Sequence, residues 1–590
     1  MKNIYGLILI VTLAFVGCSD DFLETPPQTQ IVKENYFTSE EHLQLYLNGL
    51  HSLSGYGLFL SDQGTDDMAT TGAVEIKNMM VGTPTAENIG GGWSWSYLRN
   101  INFFLENFDK ADINEEDKRH YEGVARYYRA QFYFSKVKRF SDVPWYGKTL
   151  STTDEDLYKP RDSRTLVVDS IINDIQFASE HIRENVALGN IHKWAAVMLQ
   201  ARIALYEGTY RKYHPELSLE GTANRFLQIA RDAAKELMDS GEFSIHNTGN
   251  PETDYYTLFS SEDLTAIQEA ILINVYDTEK NRFSGNGTVF GNYEQSPSKS
   301  LINSYLMTDG TRFTDQSGAN TMTYVEEFQD RDPRLSQTFV YPGWIQAGSS
   351  TPYISEFNRN FTGYHQIKGY NNTTEGAGVD VAVYRYAEAL LTYAEAKAEL
   401  GELAQGDLDA SINLLRTRAG LPDLDMVAAN SDVDPVMAAR FPNVSGSNQG
   451  VIYEIRRERR VEYAAEGVRF DDMMRWAAGK EFENLPVGMY FPGLGNYDMN
   501  GDGVDDIAII ASGEDIPSPK EQNSLGVDLI YYKAGPFGDA GASIYLSEGT
   551  SGNMVTENTV RTFIEPKYYY RPIPQQQVDL NPNLTQIMGW

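Results

Sequence analysis

The sequence predicts a mainly α-helical protein, in which helix pairs form a scaffold beside an irregular, loop-rich part with a few short β-strands. Apolar residues recur at helical spacing through most of the chain up to Ser240. Between 247 and 381, sequence rich in Gly, Asn, Ser, Thr and Tyr replaces this periodicity, which indicates long loops and short strands. Helical spacing returns at residue 384, and 590 residues with 41% hydrophobic content can bury a large core.

The elements follow from periodicity and from helix start signals. Ser39 followed by Glu40 and Glu41 predicts the start of the first helix. Further helices are predicted over 95–108, 115–140, 166–183, 193–210, 223–240, 384–400, 407–419 and 451–478. The tail after Gly479 is loop-rich again, with β-like runs at 507–510 and 529–532.

The N-terminus predicts export. An apolar run over 4–16 is about the length of a signal-peptide core and too short for a membrane-spanning helix, which needs about twenty residues. Gly17 precedes Cys18, the single cysteine of the chain, as in the lipobox of bacterial lipoproteins. We therefore expect a signal peptide over 1–17, a lipidated Cys18 and a tether over 18–33, in which Pro26 and Pro27 oppose helix formation.

Charge and aromatic content narrow the possible partners. Acidic residues exceed basic ones by 82 to 49, and the net charge of -33 would repel phosphate backbones and anionic lipid surfaces. We expect no nucleic-acid partner and a membrane attachment that depends on the lipid. The 37 tyrosines and 7 tryptophans serve core packing, and some can form platforms for a sugar.

Small residues occur where helices would touch. Ala130 and Phe134 in the 115–140 helix, followed by Pro144, resemble the A-x-x-x-F and proline pattern of tetratricopeptide helix pairs. Alanine at helical spacing is also compatible with an ordinary packed helical core.

Several motifs follow one another along the chain: the predicted acylated cysteine with 22–27 and 37–41, Trp95-Ser96-Tyr97 with 101–105, 125–134 through 142–145, 331–334, 384–396, 413–422, and 454–476. Their order resembles the SusD/RagB family of outer-membrane nutrient-binding lipoproteins of Bacteroidetes. The resemblance implies one SusD-like domain over 34–590, with an N-terminal helical part (34–246), a loop-rich ligand-face insert (247–381), a C-terminal helical repeat (382–478) and a loop-rich tail (479–590). It also implies a lipid-anchored protein facing the cell exterior at the outer membrane. Such a protein would capture an oligosaccharide and deliver it to a SusC-like TonB-dependent transporter.

Two other functions stay open. A RagB-like receptor for peptides or another nutrient is a binding alternative, and a surface glycan hydrolase is an enzymatic one. The chain has no H-E-x-x-H, no G-x-S-x-G and no P-loop, which favours binding over catalysis. A carboxylate pair for hydrolysis cannot be located by sequence, since the separation of the pair in space defines it.

A candidate structural calcium loop lies in the tail. Asp498, Asn500, Asp502 and Asp506 place oxygen side chains at positions 1, 3, 5 and 9, with Gly503 at position 6 and the Val504 carbonyl as a further ligand. Position 12 is not glutamate, so the loop differs from an EF-hand. A turn without an ion is the alternative.

The predicted ligand platform consists of aromatic residues in two regions. Trp93 and Trp95 follow a triglycine and precede a helix, where a ring is readily presented to solvent, and Trp95 is the better candidate for a core position. Tyr341, Trp344 and Tyr353 are further candidates from the variable middle. The segments 61–92 and 281–370 are expected to set the ligand.

The predicted helix over 451–478 carries glutamates at every fourth position. Glu454, Glu458, Glu462 and Glu466 form an acidic stripe flanked by arginines, and we expect structural pairing and solvation of this stripe.

Overall fold

The computed structural model describes residues 36–292, 294–372 and 378–590. Within these residues the chain is mainly helical with short strands, which confirms the predicted fold class. The predicted signal peptide (1–17), Cys18 and the tether (18–33) lie outside the described residues. In the described part of the chain, every helix is too short or too polar to cross a membrane.

The helices fall into three groups along the chain. The first group is α1 (Glu40–Asn48), α2 (Glu75–Val81), α3 (Ser96–Leu105), α4 (Glu115–Phe140), α5 (Arg164–His181), α6 (Lys193–Tyr213) and α7 (Ala223–Asp239). The second is α8 (Asp254–Ser260), α9 (Gly287–Phe290), α10 (Lys299–Ile302), α11 (Tyr324–Glu327) and α12 (Arg334–Thr338). The third is α13 (Tyr386–Leu400), α14 (Gln405–Asp409), α15 (Ile412–Arg418), α16 (Met426–Ser431), α17 (Pro435–Arg440), α18 (Gln449–Glu462), α19 (Arg469–Arg475) and α20 (Gln575–Leu580).

The strands are short and form small sheets. They are β1 (Met68–Ala69), β2 (Ala270–Asn274), β3 (Ser296–Pro297), β4 (Val381–Arg385), β5 (Val487–Phe491), β6 (Gly495–Tyr497), β7 (Ile507–Ala511), β8 (Ile530–Gly535), β9 (Ile544–Tyr545) and β10 (Gly552–Val555). β1 pairs with β3, β2 with β4, and β5 with β10, each antiparallel. The tail sheet has the order β6-β7-β8-β9, and only its β6–β7 pair is antiparallel.

Helix α4 shows how the sequence sets helix ends. The Asn114 side chain accepts a hydrogen bond from the Asp117 backbone N–H at 2.9 Å and caps the start. Acidic residues fill the first turn, and Lys138 and Arg139 lie in the last turn, which complements the helix dipole. The helix ends before Ser141, whose φ of 60° lies in the left-handed region.

The long helices pack as neighbours around one main core. α4 packs against α5, α6 against α7, and α13 against both α7 and α18. Close approach requires small residues: a Cβ on Gly208 of α6 would lie 2.8 Å from Leu227 Cγ of α7. Ala125 and Ala130 of α4 have no exposed surface. These pairs form the scaffold that the alanine pattern predicts.

Two predicted helices are interrupted. The helix expected over 407–419 is interrupted into α14 and α15, because the backbone leaves the helical region at Ser411, with a φ of -138° and a ψ of -90°. The helix expected over 451–478 is α18 and α19. Between them Lys368 Nζ donates to the carbonyl oxygen of Ala464 at 2.8 Å, and Gly467 has a φ of 70°.

The start of the helix predicted at 384 is also wrong by two residues. Tyr384 and Arg385 belong to β4, in which Val381 and Val383 favour an extended strand. β4 pairs with β2, and the strand pair joins the loop-rich insert to α13.

The acidic stripe of α18 is buried rather than solvated. Glu462 has no exposed surface and accepts hydrogen bonds from Arg334 at 3.0 Å, Arg385 at 2.6 Å and Arg418 at 2.5 Å. Burial alone would raise the pKa of Glu462, but the guanidinium groups of Arg418, Arg385 and Arg334 outweigh it and hold the pKa below its ordinary value. The prediction of pairing is confirmed and the prediction of solvation is wrong, because the partners come from the insert, β4 and α15.

Candidate functional site

Trp93 and Trp95 lie at the wall of one pocket of about 470 Å³, which we call the tryptophan pocket. Three parts of the chain meet there: the start of α3, the loop after α4, and the C-terminal helix α20. The residues that line it are Trp93, Trp95, Ser96, Leu98, Arg99, Asn102, Pro144, Tyr146, Lys148, Thr149, Leu150, Leu157, Tyr158, Gln577, Leu580, Asn581 and Leu584. Its volume is in the range of small-molecule sites, about 300–1,000 Å³.

The two tryptophan rings are half-buried and packed edge to face. Their centroids lie 5.4 Å apart at an interplanar angle of 86°. Trp93 also meets the ring of Phe140 at 4.8 Å, and Trp95 meets Phe132 at 5.7 Å, so helix α4 supports both rings from below. Trp95 has the larger number of aromatic neighbours, as its expected core role predicts, yet it still lines the pocket.

The glycine segment before the tryptophans is held in place by two cations of α4. Lys136 Nζ donates to the carbonyl oxygens of Gly92 and, at 2.8 Å, Ser94, and Arg139 Nε donates to Gly91 at 3.0 Å. Lys136 Nζ also lies 5.3 Å from the Trp95 ring centroid. Burial, with a smaller effect of the Arg139 charge, lowers the pKa of Lys136 to about 8. The rings are therefore presented by a fixed segment, not by a flexible one as the triglycine suggested.

The opposite wall is a loop fixed by α3. Asn102 is buried and donates to the carbonyl oxygens of Tyr146 at 2.8 Å and Lys148 at 3.1 Å. The Glu106 carboxylate accepts hydrogen bonds from the Thr149 backbone N–H at 2.6 Å and hydroxyl at 2.7 Å. These bonds hold the Tyr146 ring 5.4 Å from Trp95, so both walls exist before any ligand arrives.

The rim carries exposed apolar side chains. Leu157 is 39% exposed, Tyr158 53% and Leu580 62%. Gln577 of α20 adds a carboxamide beside them. A half-buried aromatic floor with an exposed apolar and polar rim is suited to a weakly polar ligand that is partly enclosed.

The charged residues that line the tryptophan pocket, among those the structure describes, are Arg99 and Lys148. The lining therefore has no aspartate or glutamate within the described ranges. Lys148 forms ion pairs with Asp156 at 3.0 Å and Asp154 at 3.7 Å, whose side chains do not line the pocket.

The other predicted platform residues lie elsewhere. Tyr341, Trp344 and Tyr353 belong to a separate aromatic cluster with Phe290 and do not line the tryptophan pocket. Trp344 is 6% exposed, with its ring centroid 5.3 Å from Phe290 and 5.8 Å from Tyr353. Tyr341 and Tyr353 are half-buried against this cluster. A ligand contact for these three stays a prediction, and Trp344 has little surface to offer.

The predicted calcium residues lie together in the loop between β6 and β7. Asp498 accepts hydrogen bonds from the backbone N–H groups of Gly501 at 2.7 Å and Gly503 at 2.8 Å, and the Asp502 side chain accepts from Val504 at 2.8 Å. Asp506 accepts from the Asn500 amide at 3.0 Å. The Gly501 and Gly503 φ angles of 82° and 81° need glycine.

The carboxylates of the same loop repel one another. Burial, and then the charges of Asp498 and Asp502, raise the pKa of Asp506. Within the described residues, no group of three or more His, Cys, Asp or Glu side chains is arranged to hold a metal ion. The oxygen donors suit calcium in kind, and calcium binding stays a prediction.

Sequence reasoning missed most of the pocket outside Trp93 and Trp95. Tyr146 carried a weak signal, because it follows Pro144 and Trp145 at the end of a predicted helix. Gln577 and Leu580 carried none, since the C-terminal segment reaches the pocket through tertiary packing alone.

Comparison with known proteins identifies the family. A model described as "SusD family" matches residues 249–590, and a model described as "Starch-binding associating with outer membrane" matches residues 21–205. The SusD-like protein P38 of Formosa agariphila is 22% identical over 495 residues, which cover 80% of this chain and 91% of that protein. A SusD-like protein of Bacteroides ovatus is 23% identical over 269 residues, which cover 43% of this chain and 49% of that protein.

Solved structures share the fold. A SusD-like carbohydrate binding protein from Bacteroides fragilis has a TM-score of 0.66 at 22% identity, covering 93% of this chain and 99% of that one. A laminarin binding SusD-like protein has a TM-score of 0.51 at 15% identity, covering 94% and 100%. The description of the family model matched over 21–205 supports carbohydrate binding and association with the outer membrane as general properties. The first of these family models matches more than half of the chain, so the chain belongs to the SusD family.

Proposed function

We propose that this protein is a lipid-anchored receptor on the cell exterior that captures an oligosaccharide and delivers it to a SusC-like TonB-dependent transporter. The observation that carries the proposal is the tryptophan pocket, in which two indole rings and Tyr146 line a cavity of about 470 Å³. Sugar rings have apolar C–H faces and polar edges, so they bind where aromatic faces and hydrogen-bonding groups stand side by side.

The wall residues reduce the free-energy cost of ligand binding. Asn102 and Glu106 fix the loop that carries Tyr146, and Lys136 fixes the segment that carries Trp93 and Trp95. Because these groups are ordered in advance, little conformational entropy is lost when a ligand enters. Ser96, Tyr158 and Gln577 on the rim are placed to hydrogen-bond sugar hydroxyls.

The lining supports binding rather than bond cleavage. Glycoside hydrolysis uses two carboxyl groups that flank the scissile bond, about 5 to 10 Å apart. Within the described residues the pocket lining supplies neither of them. We therefore propose that the ligand leaves the pocket unchanged.

Anchoring and transport rest on the sequence and on the family. Gly17 and Cys18 match a lipobox, and the tether over 18–33 would separate the folded part from the membrane. The SusD family match supports a transporter partner by resemblance, and the net charge of -33 offers no attraction to anionic lipid that could replace the acyl chain.

Calorimetry of the purified protein with a panel of plant and host glycans, combined with chromatography of the mixtures, tests the proposal. We expect saturable binding of at least one glycan and no new reducing ends. Binding of peptides in place of glycans would instead support the RagB-like alternative, and released sugar products would support a hydrolase.

Co-purification tests delivery. When the tagged protein is extracted from outer membranes in mild detergent, a TonB-dependent transporter should co-purify with it. Absence of the transporter from the eluate would count against delivery of the ligand to such a transporter.

A further inference from the structure

The tryptophan pocket has the opposite charge character from the protein as a whole. The chain carries 82 acidic and 49 basic residues. Among the described residues that line the pocket, the charged side chains are the two cations Arg99 and Lys148. A neutral sugar needs neither of these charges.

Arg99 is available to an anion. Its Nη1 donates to the Leu150 carbonyl, which fixes the side chain against the pocket wall. The guanidinium forms no ion pair with a described carboxylate, and the side chain is exposed. The other N–H groups of this planar fork can therefore bind two oxygens of a carboxylate or sulfate group.

Lys148 is the second cation of the pocket lining. Asn102 holds its backbone carbonyl at 3.1 Å, so the position of the residue is fixed. Its ammonium pairs with Asp156 at 3.0 Å and Asp154 at 3.7 Å, but the side chain is 56% exposed. Exposed ion pairs are weak, so an anionic ligand can compete with these carboxylates.

The net charge of -33 for the whole chain does not determine whether the pocket attracts an anionic ligand. At physiological ionic strength the Debye length is about 8 Å, so charges beyond the pocket wall are largely screened from a bound ligand. Asp154 and Asp156 lie inside this distance and offset part of the Lys148 charge, so Arg99, which pairs with no described carboxylate, dominates the local interaction.

We infer that the tryptophan pocket prefers oligosaccharides that carry an anionic group, either a uronate carboxylate or a sulfate ester, which Arg99 and Lys148 bind while Trp93 and Trp95 cover the sugar ring. This inference rests on the proposed glycan capture and names the substrate class for that site.

Calorimetry with matched ligand pairs tests it. The probes are short oligogalacturonides with their neutral methyl esters, and sulfated galactan oligosaccharides with their desulfated forms. We expect the charged member of one pair to bind at least about ten-fold more tightly, and the preferred pair tells carboxylate from sulfate. The preference should shrink as salt rises, because screening weakens only the charged contact.

Variants assign the preference to its residues. Arg99→Gln and Lys148→Gln should each lower the affinity for the charged member by more than the affinity for the neutral member, so that the preference shrinks, while Arg99→Lys should keep part of the preference. Arg119→Gln removes the same charge from an exposed site of α4 outside the pocket and should change neither.

The outcomes separate this inference from the proposed function. The inference is overturned if the charged and neutral members of both pairs bind equally, or if the preference survives Arg99→Gln and Lys148→Gln. In either case the proposed function stands if Trp93→Ala weakens glycan binding. If no glycan binds at all, the proposed function fails and the inference fails with it.

Discussion

Tryptophan and arginine side chains take different roles in this protein according to their surroundings. Trp93 is half-buried at the tryptophan pocket, whereas Trp344 is 6% exposed within the second aromatic cluster. Arg99 is exposed and forms no ion pair with a described carboxylate, whereas Arg385 is 1% exposed and binds Glu462 and Glu466. Local contacts, not residue type, decide which of these side chains can meet a ligand.

At the residue scale we first predict the effect of Trp93→Ala. The variant should lose about 1 to 2 kcal/mol of glycan binding, roughly ten-fold in affinity, because one wall of the pocket loses its ring. Calorimetry measures the affinity, and thermal melting should be nearly unchanged. Trp194→Ala is the matched control, since Trp194 is a half-buried tryptophan of α6 outside the pocket. Unchanged affinity in Trp93→Ala would remove Trp93 from the site, and a large loss of melting temperature would show a core role.

A second residue-scale prediction concerns the buried charges. Glu462→Gln should lower the free energy of unfolding by about 3 to 5 kcal/mol, because Arg334, Arg385 and Arg418 then remain buried with too little negative charge. Urea unfolding at neutral pH measures the change. Glu116→Gln, in the exposed first turn of α4, is the control and should change stability by less than about 0.5 kcal/mol.

The same site has a defined pH dependence. The folded-state pKa of Glu462 is lowered, so its stabilising charge is present above the unfolded-state pKa of about 4.3 and is lost as the pH falls through the lower folded-state value. The difference between wild type and Glu462→Gln should therefore shrink below about pH 4. A difference that stays constant into acid would contradict this assignment.

How much of the site could be predicted differs from residue to residue. Trp93 and Trp95 were identifiable because glycine and a helix start flank them in sequence. Tyr158 and Leu580 were not, since nothing local marks a side chain that meets the pocket from a distant segment. The burial of Glu462 was equally invisible, because a glutamate at helical spacing has the same local pattern on a solvated face.

At the element scale, the β6–β7 loop lies against the insert that carries the second aromatic cluster. A Cβ on Gly501 would lie 3.5 Å from Pro342 Cβ, and one on Gly343 would lie 3.7 Å from the Asn500 carbonyl oxygen. The loop therefore packs against the residues that directly follow Tyr341 in the chain.

We predict that the loop binds calcium weakly, with a dissociation constant of about 10⁻⁴ to 10⁻³ M, because it has no glutamate at position 12. Millimolar calcium should raise the melting temperature, since the ion binds only the folded loop and relieves the repulsion among Asp498, Asp502 and Asp506. Asp502→Asn should abolish this rise, and Asp505→Asn, an exposed neighbour outside the predicted ligands, should keep it. The site would be excluded if neither calcium nor a chelator changed the melting temperature and elemental analysis found no bound ion.

Element positions followed well from periodicity where helices are long. The bounds of α4 match the predicted 115–140, because capping, charge and hydrophobic spacing agree there. The break between α18 and α19 was missed, although Gly467 was a local signal for it; the hydrogen bonds from Lys368 that hold the broken backbone come from another part of the chain. Tertiary contacts of this kind leave no trace in a local window.

At the scale of the whole molecule, location depends on one residue outside the described part of the chain. We predict that Cys18→Ala releases the protein from the membrane fraction, because Cys18 is the single cysteine of the chain and the predicted site of acylation. Fractionation measures release, and proteolysis of intact cells should degrade the wild type. Ser19→Ala keeps the cysteine and should stay anchored, whereas continued anchoring of Cys18→Ala would disprove the lipobox assignment.

The ion pairs around α18 also impose an order on biosynthesis. Arg334, Arg385 and Arg418 all leave the ribosome before Glu458 and Glu462, which bind them in the folded protein. Until α18 is made, the carboxylates available to these arginines are Asp332 and Glu269, so burying all three is less favourable than in the complete protein. We therefore expect the interior around α18 to close late in synthesis. A chain that stays open this long would remain competent for translocation, as the predicted export requires.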